Sequence, residues 1–287
     1  MSQQVLQRPT PSDYKRLFRV AVLTSTAAGM LERQRARLRE RVEILGVEID
    51  NLSQRQFLAE LTRGVIFTPN VDHLMKLQED AEFQEAYRQA DYKVCDSQIL
   101  MYASKLLGKP LKEKISGSDL LPLFCDYHRN NPGITIFFLG GAKGVAKQAQ
   151  VNINARFGRD MVIAAHSPSF GFEKDEAECQ SIIDIINASE ATVLAVGVGA
   201  PKQELWIAKY RSHMPKVKIF MAVGAALDFE AGNKPRAPQF WSSLGIEWLY
   251  RLMSEPKRLW KRYLLDDLPF FKLLLKQKLK QVTKGKD

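Results

Sequence analysis

The sequence predicts an α/β fold: a mainly parallel, Rossmann-like sheet with helices on both faces, followed by a basic amphipathic helical appendage at the C-terminus. Three observations predict it. Short apolar runs with strand character alternate with amphipathic stretches from residue 42 to about 223, the pattern that places crossover helices between parallel strands. Several of these runs end in glycine turns, at Gly140-Gly141-Ala142-Lys143-Gly144, Gly197-Val198-Gly199-Ala200-Pro201 and Gly224-Ala225-Ala226. After Gly245 the pattern changes to leucines and aromatics spaced among many Lys and Arg, without strand character.

The elements follow in order. Residues 42–49 (VEILGVEI) alternate like one strand or a strand pair. Asn51-Leu52-Ser53 offers a cap for a helix over residues 54–63. Residues 65–68 are a short buried strand, and Asn70 or Asp72 caps a helix running through Tyr87. Residues 92–96 make a brief strand before a helix to about Leu107. Residues 134–139 (ITIFFL) are a strongly apolar strand that enters the Gly140 turn and an amphipathic helix. Residues 161–165, 192–198 and 218–223 complete the strands. Pro256 and Pro269 divide residues 246–282 into about three helical pieces. This organisation gives a variable basic extension at 1–41, helical over 27–41, an α/β domain at 42–245 and a helical appendage at 246–287. No internal repeat or low-complexity segment interrupts it.

The net charge of +10 is concentrated at the ends: residues 1–41 and 246–287 each carry an excess of +6, and the middle carries −2. Basic ends attract polyanions, either nucleic acid or an anionic membrane face. No apolar run approaches the ~20 residues that span a bilayer, and the N-terminus is a poor match to a cleavable signal. Cys95, Cys125 and Cys179 are widely spaced and odd in number, which points to a reducing cytosolic compartment rather than a disulfide framework or zinc site. His73, His128, His166 and His213 show no ligand spacing, and no DxD triplet stands in a strand-end loop. The expectation is a protein with no metal and no cofactor.

In a sheet of this kind ligands bind beyond the carboxyl ends of the strands, where the glycine turns fall. After Gly199, Pro201 opens a segment carrying Lys202, Gln203 and Glu204; proline suits a first helical position, and the free N–H groups of a helix start favour an anion. Gly140, Gly141 and Lys143 form a second turn of phosphate-binding type, although it lacks the dinucleotide and Walker patterns. Asp228 precedes Gly232, Arg236 and Pro238; Arg236 and Asp228 either hold a nucleotide or pair with each other. An ordinary α/β protein with glycine at its turns explains any single one of these segments.

Taken in order, the motifs resemble the WecG/TagA/CpsF family of bacterial glycosyltransferases. The resemblance runs from about Val42 to Tyr263: Thr68-Pro69-Asn70, Ser116-Gly117-Ser118-Asp119-Leu120, Pro201 to Glu204, Gly224 to Pro238, Glu247 to Leu252, Glu255-Pro256, Arg258 and Arg262-Tyr263. It implies inverting transfer of a sugar from a UDP-sugar (UDP-N-acetylmannosamine, or a related hexose or uronate) to a polyprenyl-diphosphate-linked glycan in the synthesis of surface polysaccharide or wall polymer. It also implies a metal-independent enzyme, peripheral on the inner face of the plasma membrane.

On this resemblance Asp96 is the base, at a strand end where the family carries Asp-Gly; here Ser97 replaces the glycine. A carboxylate there equally reads as a cap for the next helix. Thr68 and Asn70 orient sugar hydroxyls, Asn70 also being a ready helix cap. Gln203 contacts the donor sugar or diphosphate, or else faces solvent from its helix. Arg251, Arg258 and Arg262 lie on the appendage and close over a diphosphate, since guanidinium binds phosphate bidentately; each also reads as a solvated residue. The appendage itself fits an anionic membrane, a fold-back lid, or pairing with a second copy of the chain.

Three other readings compete. A nicotinamide or flavin oxidoreductase lacks G-x-G-x-x-G, and Asp160 precedes its strand where a ribose-binding acid ends one. A nucleic-acid-binding module finds no recognised motif beside the basic ends, so nucleic acid is not expected as a partner. A membrane-docked family member without activity is the third, motivated by Ser97.

Overall fold

The computed structural model describes residues 39–234, 247–254, 256–261 and 266–284. The chain divides into units 1–40 and 41–287, and the architecture below is that of the second. It opens with an antiparallel hairpin, β1 (Arg41–Ile44) and β2 (Val47–Asp50). Helix α1 (Gln54–Glu60) follows, started by a capping box in which Ser53 and Gln56 bond each other's backbone N–H. Then come β3 (Gly64–Phe67), α2 (Val71–Lys76), α3 (Ala81–Arg88), β4 (Tyr92–Lys93), α4 (Gln98–Leu106) and α5 (Gly117–Tyr127). The second half continues with β5 (Ile136–Gly140), α6 (Val145–Phe157), β6 (Val162–His166), α7 (Glu176–Ala188), β7 (Val193–Gly197), α8 (Lys202–Tyr210), β8 (Ile219–Ala222) and α9 (Ala226–Glu230). The last helices are α10 (Glu247–Ser254), α11 (Pro256–Lys261) and α12 (Pro269–Lys284).

Strands β3 to β8 form one six-stranded sheet in the order β4-β3-β8-β7-β5-β6, with every pairing parallel. Successive side chains of a strand face opposite sides, and the core divides accordingly. Phe67, Phe137, Leu139, Leu194, Val196 and Phe220 join α2, α3, α4, α7, α8 and α12 on one side. Ile66, Ile136, Phe138, Val193, Ala195, Ile219 and Met221 join α1, α5, α6 and α9 on the other. Both faces of the sheet are therefore covered, which is why the strands are almost uniformly apolar.

Adjacent strands β5 and β7 send their following helices to opposite faces, α6 and α8 respectively. That divergence opens a crevice at their carboxyl ends. The strand ends approach so closely there that only glycine fits. A Cβ on Gly140 would stand 2.4 Å from the Gly197 carbonyl oxygen, and one on Gly197 would stand 2.7 Å from that of Gly224.

The structure revises several boundaries. The expected single helix through Tyr87 is two: α2 ends at Lys76, and Asp80 caps α3 by accepting from the Phe83 N–H at 2.9 Å. Helix α1 stops at Glu60 rather than Arg63. Arg41, assigned to the extension, already pairs with Asp50 in the hairpin. Arg39 and Glu40 are not helical, so the helix expected over 27–41 does not reach its predicted end; residues 1–38 lie outside the described residues. Among the described residues the appendage holds three helices, and the second and third begin at Pro256 and Pro269, the prolines expected to divide it.

Candidate functional site

A cleft of about 780 Å³ lies at the carboxyl ends of the strands and is bordered by the turns after β3, β4, β5, β7 and β8. It brings together nine of the residues singled out in the sequence: Thr68, Asn70, Asp96, Gly141, Lys143, Gly199, Lys202, Gln203 and Asp228. Gly140 and Pro201 are not part of its lining; the first closes β5 and the second precedes α8. Arg236 and Arg262 lie outside the described residues. Arg251 falls on α10 and Arg258 on α11, with side chains outside the described set.

Asp96 stands three residues past β4, its backbone N–H donating to the Pro69 carbonyl at 3.0 Å. This bond ties the Asp96 turn to the turn carrying Thr68 and Asn70. Asp96 is not the cap of the next helix: Ser97 occupies that position and makes no side-chain cap bond. Asn70 is a cap, its Oδ1 accepting from the His73 N–H at 3.1 Å. Thr68 is buried beneath the start of α5, where Ser116 caps and Gly117 passes over it; a Cβ on Gly117 would stand 3.0 Å from Thr68 Oγ1. The glycine thus lets α5 close one wall of the cleft.

The opposite wall is built from the glycine turns. Gln203 is only 3% exposed, so it is not the surface residue its polar neighbours suggest. Its Oε1 accepts from the backbone N–H of Gly199 at 3.3 Å and of Gly224 at 3.1 Å, joining the turns after β7 and β8. Pro201 precedes the first helical residue instead of occupying it, after a cis Ala200–Pro201 bond. Neither Pro201 nor Gly144 gives its helix a side-chain cap, whereas Ser53, Asn70, Asp80, Ser116 and Asp175 cap theirs. Helix starts without side-chain caps, bordering a crevice, suit an anion through their N–H groups and dipoles. Lys143 and Lys202 add positive charge to the same lining, Lys202 pairing with Glu173 at 3.0 Å. Its ammonium also lies 4.7 Å from the centroid of Phe170, a fully exposed ring at the rim.

Two further residues line the cleft, His73 and Phe170, and two stand against its lining, Tyr87 beside His73 and Glu204 beside Gln203; none of the four had a role legible in the sequence. His73 is buried, lines the cleft and has Nδ1 2.5 Å from the Tyr87 hydroxyl. Burial and then the nearby carboxylates of Glu204, Asp96 and Asp72 push the Tyr87 hydroxyl well above its usual range. Glu204 is fully buried, and that burial raises its carboxyl to about 7. The only available signal was for His73, three residues after a capping asparagine and therefore one helical turn from the strand end. Among the described residues no group of three or more His, Cys, Asp or Glu is placed to hold a metal ion.

The sequence matches the model of the family described as glycosyl transferase WecG/TagA/CpsF over residues 42–284. The chain belongs to this family, whose members are glycosyltransferases of cell-surface polysaccharide synthesis.

Proposed function

We propose that the protein transfers a sugar from a UDP-sugar to a hydroxyl of a polyprenyl-diphosphate-linked glycan, with inversion at the anomeric carbon. The observation that carries this reading is the cleft itself. A carboxylate, Asp96, stands on one wall, and glycine turns, uncapped helix starts and two lysines form the other. In a single displacement the acceptor hydroxyl gives its proton to Asp96 as its oxygen bonds the anomeric carbon. The bond from that carbon to the diphosphate oxygen breaks, and UDP leaves with the electron pair. The turns and lysines stabilise the charge that develops on the diphosphate. Thr68 and Asn70 orient the sugars from the neighbouring strand end. Arg236, Arg251, Arg258 and Arg262 add guanidinium groups around the phosphates, and the helices from residue 246 onward act as the lid. Donors include UDP-N-acetylmannosamine and related hexose or uronate nucleotides, and the substitution of Ser97 for glycine beside the base bears on which is used.

The appendage also supplies the reading of location. Helix α12 docks through Phe270 and Leu274, both buried, and through Gln277, which bonds Leu45 N–H at 2.9 Å and the Glu43 carbonyl at 3.1 Å. A second face remains outside: Leu268, Phe271, Leu275, Leu279 and Val282, spaced three and four residues apart, are exposed. Lys272, Lys276, Lys278 and Lys280 flank this apolar stripe. Such a stripe among lysines suits the inner face of the plasma membrane, where the lipid-linked acceptor resides. No described helix is long and apolar enough to cross a membrane.

Incubation with a panel of UDP-sugars and a polyprenyl-diphosphate-linked sugar, followed by mass spectrometry of the lipid, tests the proposal. One donor should extend the acceptor by one residue, with the rate unchanged in excess EDTA. Activity abolished by EDTA and restored by Mn²⁺ or Mg²⁺ would refute the metal-independent form. No product from any donor would refute the transferase reading of the cleft.

A further inference from the structure

Gln203 is held by its neighbour in the chain. Its Nε2 donates to Glu204 Oε1 at 2.7 Å, while its Oε1 receives the N–H groups of Gly199 and Gly224. The three bonds form one chain from a buried carboxyl to the two turns that border the cleft. A terminal amide has two orientations, and only one presents oxygen to those N–H groups. We propose that Glu204 is a positioning residue whose ionised carboxylate fixes the Gln203 amide, and through it the paired glycine turns, in the form that receives the donor diphosphate.

Donors and acceptors decide the orientation of the amide. An ionised carboxylate only accepts, so Gln203 must turn its NH₂ group towards Glu204 and its oxygen towards Gly199 and Gly224. A protonated Glu204 also offers a donor. Gln203 can then direct its oxygen at the acid, which leaves NH₂ facing two backbone N–H groups and loosens both turns. Glu204 is 0% exposed, and its Oε2 has no hydrogen-bond partner, an arrangement that costs an ionised carboxylate more than it would cost a neutral glutamine. The charged and titratable groups facing it are Asp72 and Lys76 of α2, which pair with each other, and the Tyr87 hydroxyl of α3, itself bonded to His73. Burial dominates over these and brings the Glu204 carboxyl to about 7, so the switch between the two states falls within the neutral range.

The inference rests on reading the cleft as a donor-diphosphate site, but the clamp can be tested separately. In the ¹⁵N-labelled full chain the amide signals of Gly199 and Gly224 should move together between pH 5.5 and 8.5, with one midpoint near 7, and stay still in Glu204→Gln. Amides that do not titrate, or that titrate equally in the variant, would overturn the clamp without reference to any ligand. Calorimetry with UDP supplies the functional arm. Wild type should bind UDP roughly five-fold or more tightly at pH 8 relative to pH 6, over and above the change Glu204→Gln shows, by linkage of proton and ligand. In a Gln203→Ala background Glu204→Gln should have no further effect on affinity, because the mediator is gone. Additive losses would overturn the positioning role. Wild type that binds no UDP while its glycine amides titrate as predicted would sink the donor reading and keep the clamp.

Discussion

Glu204 carries opposite consequences for folding and for the cleft. Its carboxyl is raised to about 7 in the fold, against roughly 4.3 in an unfolded chain. A raised carboxyl binds its proton more tightly when folded, so its contribution to stability is fully present below the unfolded value and is lost as pH rises through 7. Glu204→Gln removes that loss. At pH 8 the variant should be more stable to urea by about 1–3 kcal/mol, and the difference should vanish as pH approaches 4. Equal stability at both pH values would show that the carboxyl is not desolvated. The same residue illustrates what the sequence conceals. Lys202, Gln203 and Glu204 open an amphipathic helix and read as a solvated first turn; the burial of Gln203 and Glu204 arises because α8 begins underneath the turn after β8, a tertiary relation with no local signature. Asp96 was legible only through the family motif. By itself, an aspartate after a short strand reads equally as a cap, and it took the structure to give that position to Ser97.

At the level of elements, the helix starts around the cleft are of two kinds. Helix α2 is capped by Asn70, and loss of such a cap costs about 1 kcal/mol. Asn70→Ala should therefore lower the unfolding free energy by that amount. If Asn70 also orients a sugar, kcat/KM should fall by roughly ten-fold or more, beyond anything the cap explains. A variant that is less stable yet fully active would confine Asn70 to capping. Helices α6 and α8 lack side-chain caps, and the glycines before them announced this in the sequence. Strand positions were equally readable, since buried parallel strands are uniformly apolar, and so was the division of the appendage by Pro256 and Pro269. The break between α2 and α3 was not: residues 71–87 keep a helical spacing of apolar side chains throughout, and only the Asp80 cap, whose effect depends on the chain direction after Leu77, separates them.

At the level of the whole molecule, charge and apolar surface coincide on the C-terminal helix. The appendage is basic while the α/β middle is slightly acidic, and α12 exposes a leucine-rich stripe on the face turned away from its docking contacts. Vesicles containing anionic lipid should bind the protein, and binding should weaken as salt rises. Replacing Phe271, Leu275 and Leu279 together by serine should release it at any salt concentration, because each buried apolar side chain contributes about 1.5–3 kcal/mol. Unchanged vesicle binding by the triple variant would move the membrane contact elsewhere. The location of the cleft at the strand ends followed from the order of apolar runs and glycine turns. The separate outer stripe did not, because the sequence shows apolar residues all round α12 and cannot say which of them the hairpin and α2 cover.

The proposed transfer turns on Asp96 as the base. The most direct test is acceptor-dependent release of UDP by wild type and Asp96→Asn, measured side by side with the preferred donor. Release should occur only when the lipid-linked acceptor is present and should fall by ~10²–10⁴-fold in the variant, while its UDP affinity and melting temperature stay close to wild type. Release undiminished in Asp96→Asn would contradict this and place the base on another side chain of the cleft.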